Sequence, residues 1–269
     1  MATTGGDGSL GAAPRPMSAV ERDGATIAYH LTRGKPPGVL FLTGFHSNMN
    51  GEKALALEAL CRARGNAFLR FDYTGHGESS GAFVDGTIGR WAEDALFALD
   101  TLATGPQVLV GSSMGGWIML LLALRRPERV VGLVGTAAAP DFTVDLVPEA
   151  LTAEQRAAMN RDGVVYIPDC YGGDPYAITK KLVDEGKRHV LLGGAIAIDV
   201  PVRLIHGLDD RDVPWKRSLA IADRLQSRDV EIQLVKGGDH RLSTPPDLAR
   251  LTRTVGALLD RLGETAAKP

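Results

Sequence analysis

One junction limits the folds open to this chain: Leu109 to Trp117, LVGSSMGGW, where an apolar run reaches a glycine-rich turn and continues into Met114 to Leu124, apolar on nearly every face. A helix without a polar face cannot border solvent and has to be covered on all sides. The run before it, Gln107 to Gly111, is short and bounded by glycine, as a buried strand is. A strand leading through a tight turn into a covered helix calls for a sheet with layers on its faces.

The rest of the chain repeats the alternation. Ala25 to Leu31 follows the turn Asp23-Gly24 and reads as part of an opening hairpin. Pro37 to Gly44 is a buried strand, Gly51 to Arg64 a helix closed by Gly65, and Ala67 to Tyr73 the next strand. Thr87 to Thr104 places Trp91, Ala95, Ala98 and Leu102 on one helical stripe. Val130 to Val134, Val202 to His206 and Val230 to Val235 complete the strands, with helices at Trp215 to Leu225 and Leu248 to Leu262. This pattern predicts an α/β fold with a mainly parallel sheet, helices on both faces and right-handed crossovers, its ligands beyond the carboxyl ends of the strands. One interval breaks the rhythm. Residues from about 140 to 199 are far too long for an ordinary loop and carry helical patches at Glu149 to Met159 and Tyr176 to Glu185 around the turn-rich Pro168 to Pro175. They read as a cap inserted into a single domain, residues 19–269, that follows a flexible leader, residues 1–18.

At 269 residues and 44% hydrophobic the chain can bury a large core, and a formal net charge of -2 gives no electrostatic footprint for nucleic acid. Cys61 and Cys170 make neither a disulfide framework nor a zinc motif. No run approaches the roughly 18 apolar residues of a membrane span. The leader lacks the apolar centre of a signal peptide and, with Asp7 and only Arg15, is a poor transit peptide, so a cytoplasmic protein is expected.

Of the two serines at the junction, glycine spacing selects one. A serine on a strained strand-to-helix turn needs side-chain-free neighbours two places before and after, and Gly111 and Gly115 flank Ser113 in that way. Centring the turn on Ser112 would put Val110 and Met114 at the crowded places, so Ser112 faces inward. A serine hydroxyl needs a base within hydrogen-bond reach, itself oriented by an acid. Where the serine sits on such a turn, the acid and then the histidine follow it in the chain, which leaves His189, His206 and His240. His240 lies in a glycine-loosened loop after the last strand and fits best; His189 falls in the cap and His206 ends its own strand. For the acid, Asp209, Asp210 and Asp212 stay open, with Asp212 resembling a cap for the following helix. Two backbone N–H groups should hold the oxyanion, those of Met114 and of Phe45 after Leu42-Thr43-Gly44.

The stretches FLTGFHSNMNGEKALALE, FDYTGHGESSG, QVLVGSSMGGW, RRPERVVGLVG, LIHGLDDRDVPW and GGDHR occur in order from about Gly38 onward. In these the chain resembles the α/β-hydrolase superfamily, and within it the small serine esterases and thioesterases that include palmitoyl-protein thioesterases and acyl-glucuronide esterases. The resemblance implies the α/β-hydrolase fold, with Ser113 as nucleophile, Asp210 as acid and His240 as base. It implies no cofactor and no metal. The substrates it implies are small-molecule esters or acyl thioesters with hydrophobic acyl groups, or an acylated protein. Thr43 departs from the group's usual proline before the oxyanion glycine.

Three features have bland readings. His76 in the Asp72 to Ser79 loop packs beside the site floor, and Trp117 packs in the core. Lys180, Lys181, Lys187 and Arg188 form a solvated helix face, the sharper alternative being attraction of a carboxylated leaving group. Acyl transfer, carbon-carbon bond hydrolysis on the same residues, or a ligand receptor retaining the fold are the alternatives to ester hydrolysis.

Overall fold

The computed structural model describes residues 17–168 and 175–266. The first hairpin pairs β1 (Ser18–Arg22) with β2 (Ala25–Thr32) around Asp23 and Gly24, both at positive φ. Then β3 (Lys35–Leu42), α1 (Glu52–Arg64), β4 (Asn66–Phe71), α2 (Ile88–Thr101), β5 (Gln107–Ser112), α3 (Met114–Arg125) and β6 (Val130–Thr136) alternate as expected. Next come α4 (Leu146–Ala150), α5 (Ala153–Asp162), β7 (Val164–Ile167), β8 (Tyr176–Thr179) and α6 (Lys180–Gly186). The chain closes with β9 (Val202–Gly207), α7 (Lys216–Arg224), β10 (Val230–Val235) and α8 (Pro245–Ala266).

Eight strands form one sheet in the order β1-β2-β4-β3-β5-β6-β9-β10. The first two pairings are antiparallel and the other five parallel. Alternation along each strand divides the core in two. Leu40, Leu42 and Leu109 face α2 and α3, while Val39, Phe41, Val108 and Val110 face α1 and α8. All residues from Met114 to Ala123 are buried, as their uninterrupted apolar character requires.

Local chemistry sets the helix ends. Gly65 closes α1 in the left-handed conformation, with φ 75°, and the Thr87 hydroxyl accepts from Arg90 N–H at 3.1 Å to open α2.

The segment between β6 and β9 departs from expectation in two respects. The patch Glu149 to Met159 is divided at Leu151 and Thr152, where the Thr152 hydroxyl accepts from Gln155 N–H and opens α5. Second, Tyr176 to Thr179 is not the start of a helix but strand β8, paired antiparallel with β7. The pairing seats Val165 and Ile178 in a small core with Val147, Leu151 and Met159, and this tertiary burial overrides the helical spacing. The turn-rich stretch Pro168 to Pro175, with Cys170, falls largely in 169–174, outside the described residues. The two ends of the segment are tied to each other at its base. Asp141 accepts from Leu191 N–H at 2.9 Å and Leu192 N–H at 2.8 Å, one on each carboxylate oxygen. Higher up, Trp117 Nε1 donates to the His189 carbonyl at 3.0 Å and Glu185 accepts from Gly89 N–H at 3.1 Å.

Candidate active site

Ser113 stands between β5 and α3 with φ 54° and ψ -120°, a conformation costly for any residue with a Cβ. The surroundings enforce it. Ser113 N–H donates to Thr136 O at 2.9 Å and Ser113 O accepts from Ala139 N–H at 3.0 Å. A Cβ on Gly111 would lie 2.4 Å from Gly115 O, so the crowding inferred from spacing is present in space. Ser112 is buried beneath the turn.

Ser113, His240 and Asp210, far apart in sequence, form one hydrogen-bonded line. His240 Nε2 is 2.9 Å from Ser113 Oγ and His240 Nδ1 is 2.8 Å from Asp210 Oδ2. The loops that carry the acid and the histidine are stitched together: Leu208 N–H donates to Val235 O and Asp209 N–H to Gly238 O, each at 2.9 Å. On the far side of the histidine loop the Lys53 ammonium donates to Arg241 O and to Ser243 Oγ.

Among the three aspartates only Asp210 turns inward. Its side chain is fully buried, whereas Asp209 and Asp212 are exposed. Burial by itself would raise the Asp210 carboxyl. Hydrogen bonds from His206 and His240, and from Val213 N–H at 2.8 Å, outweigh it and hold the group well below the usual carboxylate range. Asp212 does not cap the next helix: α7 starts after Trp215 without a side-chain cap, and the Asp212 N–H instead donates to Asp210 Oδ1 at 3.0 Å. Asp210, Asp212 and His240 bring ligand atoms within 4.8 Å of one another. The His240 nitrogen and Asp210 oxygen that face each other already share a hydrogen bond, so the trio is better suited to proton transfer than to a cation.

The two N–H groups expected at the oxyanion belong to neighbouring backbone. Met114 opens α3, where a helix has free N–H groups. Gly44 abuts the serine: a Cβ there would lie 3.4 Å from Ser113 Cβ, and Phe45 is the next residue. The Phe45 ring packs edge-on against Phe83 at 4.9 Å and against Trp91, Phe142 and Tyr176, each at 5.8 Å. Phe142 and Tyr176 come from the inserted segment, so an aromatic surface spans the sheet domain and the insertion beside the serine. A cavity of about 290 Å³ lies elsewhere in the insertion, lined among others by Val147, Leu151, Met159 and Lys187.

His76 is buried and packs edge-on on Tyr73, Phe83 and Trp91. Lys180 and Lys187 both pair with Asp184, Lys181 donates to Asp85 O at 2.9 Å, and Arg188 is exposed. His189 contacts Glu185 at 2.5 Å, away from the serine. Sequence reasoning set His206 aside as a strand end; in the structure its ring touches the same Asp210 oxygen as His240, at 3.1 Å. The signal available was its place four residues before the acid.

A serine on a tight turn after a central parallel strand, under an inserted segment, defines an α/β-hydrolase. A family profile described as serine aminopeptidase, S33, matches residues 37–167. The chain is 44% identical over 237 residues to the mitochondrial palmitoyl-protein thioesterase ABHD10 of Mus musculus, covering 88% of this chain and 80% of the relative. The solved structure of mouse α/β-hydrolase domain-containing protein 10 superposes with a TM-score of 0.85 at 42% identity, covering 92% of this chain and all of that one. Est1E of Butyrivibrio proteoclasticus, solved with ferulic acid bound, shares the fold at a TM-score of 0.75 and 21% identity, over 93% of this chain and all of that one. The chain belongs to the α/β-hydrolase superfamily, in the family of the palmitoyl-protein thioesterase ABHD10, and is an ester or thioester hydrolase.

The relatives also correct one expectation. They are named mitochondrial, which overturns the cytoplasmic location inferred from the leader. The charge of a short leader is a thin physical signal, and residues 1–16 lie outside the described residues.

Proposed function

We propose that the chain hydrolyses long-chain acyl thioesters, including palmitoylated protein, and related carboxylic esters, with Ser113 as nucleophile, His240 as base and Asp210 as acid. The observation that carries this reading is the unbroken line from Ser113 Oγ through His240 to Asp210, with contacts of 2.9 and 2.8 Å. The acyl preference follows the relatives named palmitoyl-protein thioesterase and fits the aromatic surface around Phe45.

In this mechanism Ser113 Oγ attacks the acyl carbonyl as His240 Nε2 takes its proton. Asp210 holds the ring in the tautomer that makes Nε2 the acceptor and stabilises the imidazolium that results. The Phe45 and Met114 N–H groups receive the oxyanion. As the tetrahedral intermediate collapses the C–S or C–O bond breaks, and His240 returns the proton to the leaving sulfur or oxygen. Water, deprotonated by His240, then releases the fatty acid and restores Ser113. The segment 140–199 acts as a cap that selects chain length and leaving group.

A panel of acyl thioesters and p-nitrophenyl esters of increasing length, run beside fluorophosphonate labelling, tests the reading. Labelling that disappears in Ser113→Ala, with turnover rising towards long acyl chains, supports it. A folded wild type that is not labelled, or labelling that survives Ser113→Ala, refutes the nucleophile.

A further inference from the structure

His206 closes β9 with a side chain wholly shielded from solvent. Its Nε2 lies 3.1 Å from Asp210 Oδ2 and 3.0 Å from the Val213 carbonyl oxygen. Both partners only accept, so Nε2 carries the proton. Its Nδ1 lies 2.8 Å from the Ser218 hydroxyl of α7, which can donate to it. A neutral ring protonated on Nε2 satisfies all three contacts.

Asp210 is thereby held from four directions. Oδ1 accepts the N–H groups of Asp212 and Val213, and Oδ2 accepts from both His206 and His240. The first two contacts come from the acid's own loop and move with it. The contact from His206 does not: it fastens the carboxylate to β9 and, through Ser218, to α7.

We infer that His206 is a positioning residue for the acid. Its Nε2–H fixes the rotation of the Asp210 carboxylate, so that the second lone pair on Oδ2 points along the direction from which His240 Nδ1–H arrives. Without this donor the buried oxygen loses its tie to β9, and the hold on the carboxylate's rotation is left to the two N–H groups of its own loop and to His240 itself. His240 then meets the acid over a wider range of angles and presents Nε2 to Ser113 less often. The effect falls on the chemical step and leaves substrate binding alone. The inference rests on the reading of Ser113, His240 and Asp210 as the catalytic residues.

The test compares His206→Phe, which keeps a buried ring and removes both nitrogens, with His206→Gln, whose amide can donate to Asp210 and to Val213 O. Ser218→Ala and Ser113→Ala accompany them, and kcat, KM and melting temperature are measured on a p-nitrophenyl ester and an acyl thioester. His206→Phe should lower kcat by about 10- to 100-fold at nearly constant KM, the rate equivalent of leaving a buried charged acceptor one donor short. His206→Gln should recover most of that loss, and Ser218→Ala should lower kcat by a smaller factor. A folded His206→Phe with wild-type kcat overturns the inference, as does His206→Gln that is folded yet as impaired as His206→Phe. Should His206→Phe not fold, Ser218→Ala decides: reduced kcat at constant KM supports the role, and unchanged kcat overturns it. Turnover that persists in Ser113→Ala sinks the reading of the catalytic residues instead, whereas an inactive Ser113→Ala beside a fully active His206→Phe rejects only the role of His206.

Discussion

A Cβ placed on Gly115 would stand 2.0 Å from the carbonyl oxygen of Leu42. The first turn of α3 is therefore pressed against the end of β3, and this contact sets the distance between Ser113 and the loop that holds Phe45. Gly115→Ala forces backbone apart, since neither atom belongs to a flexible side chain. It should cost about 3 kcal/mol or more in urea unfolding and lower fluorophosphonate labelling of whatever protein remains folded.

Gly256 gives the opposite sign. It lies within α8, and an added Cβ would come no closer than 3.8 Å to any neighbour, the guanidinium of Arg64. Gly256→Ala should stabilise the protein by about 0.5–1 kcal/mol through the lost freedom of the unfolded chain, with activity unchanged.

What the sequence made legible follows this distinction. Crowding at Gly111 and Gly115 is backbone geometry repeated wherever a strand turns sharply into a helix, so the spacing alone singled out Ser113. The unbroken apolar run of α3 likewise announced a helix covered on every side. Tyr176 to Thr179 was misjudged because its strand exists only through pairing with Val164 to Ile167. His206 was hidden for a related reason: its partners Ser218 and Asp210 reach it only once α7 and the Asp210 loop fold over β9. Residue chemistry alone left Asp209, Asp210 and Asp212 open and only the family resemblance chose Asp210; burial of that one carboxylate is the physical distinction.

Removing the charge of Asp210 while keeping its shape tests the acid. Asp210→Asn presents an amide where His240 Nδ1–H requires an acceptor and favours the wrong tautomer. kcat should fall by about 10⁴-fold, the loss seen when a triad acid becomes an amide, with KM little changed.

His76 supplies a pH dependence. Burial, the largest cause, lowers its pKa from 6.5 to about 4. Between those values the unfolded chain binds a proton that the folded chain refuses, so stability is lost as the pH falls through this window. The shift corresponds to about 3 kcal/mol. His76→Phe should flatten the fall in unfolding free energy between pH 6.5 and 4; an unaltered slope would show that other groups cause it.

Asp141 makes the role of the inserted segment measurable. Its φ of 65° suits asparagine, which has one acceptor oxygen where the carboxylate offers two to Leu191 and Leu192. Asp141→Asn should leave kcat/KM on acetyl esters within about twofold and reduce it on long-chain thioesters by about tenfold, the size of one lost hydrogen bond to a charged acceptor. Equal losses on both substrates would argue against a role for the segment in selecting acyl chains.

With its amide proposed to receive the oxyanion, Phe45 would join two tasks in one residue, for its ring is wedged between Phe83 of the sheet domain and Tyr176 of the insertion. A guest that pushes on the ring would then tilt the amide. An ill-fitting acyl chain would then be seated as firmly as a good one and turned over more slowly. Discrimination would be read in the rate of bond breaking, where it cannot be saturated away by a high concentration of the wrong ester.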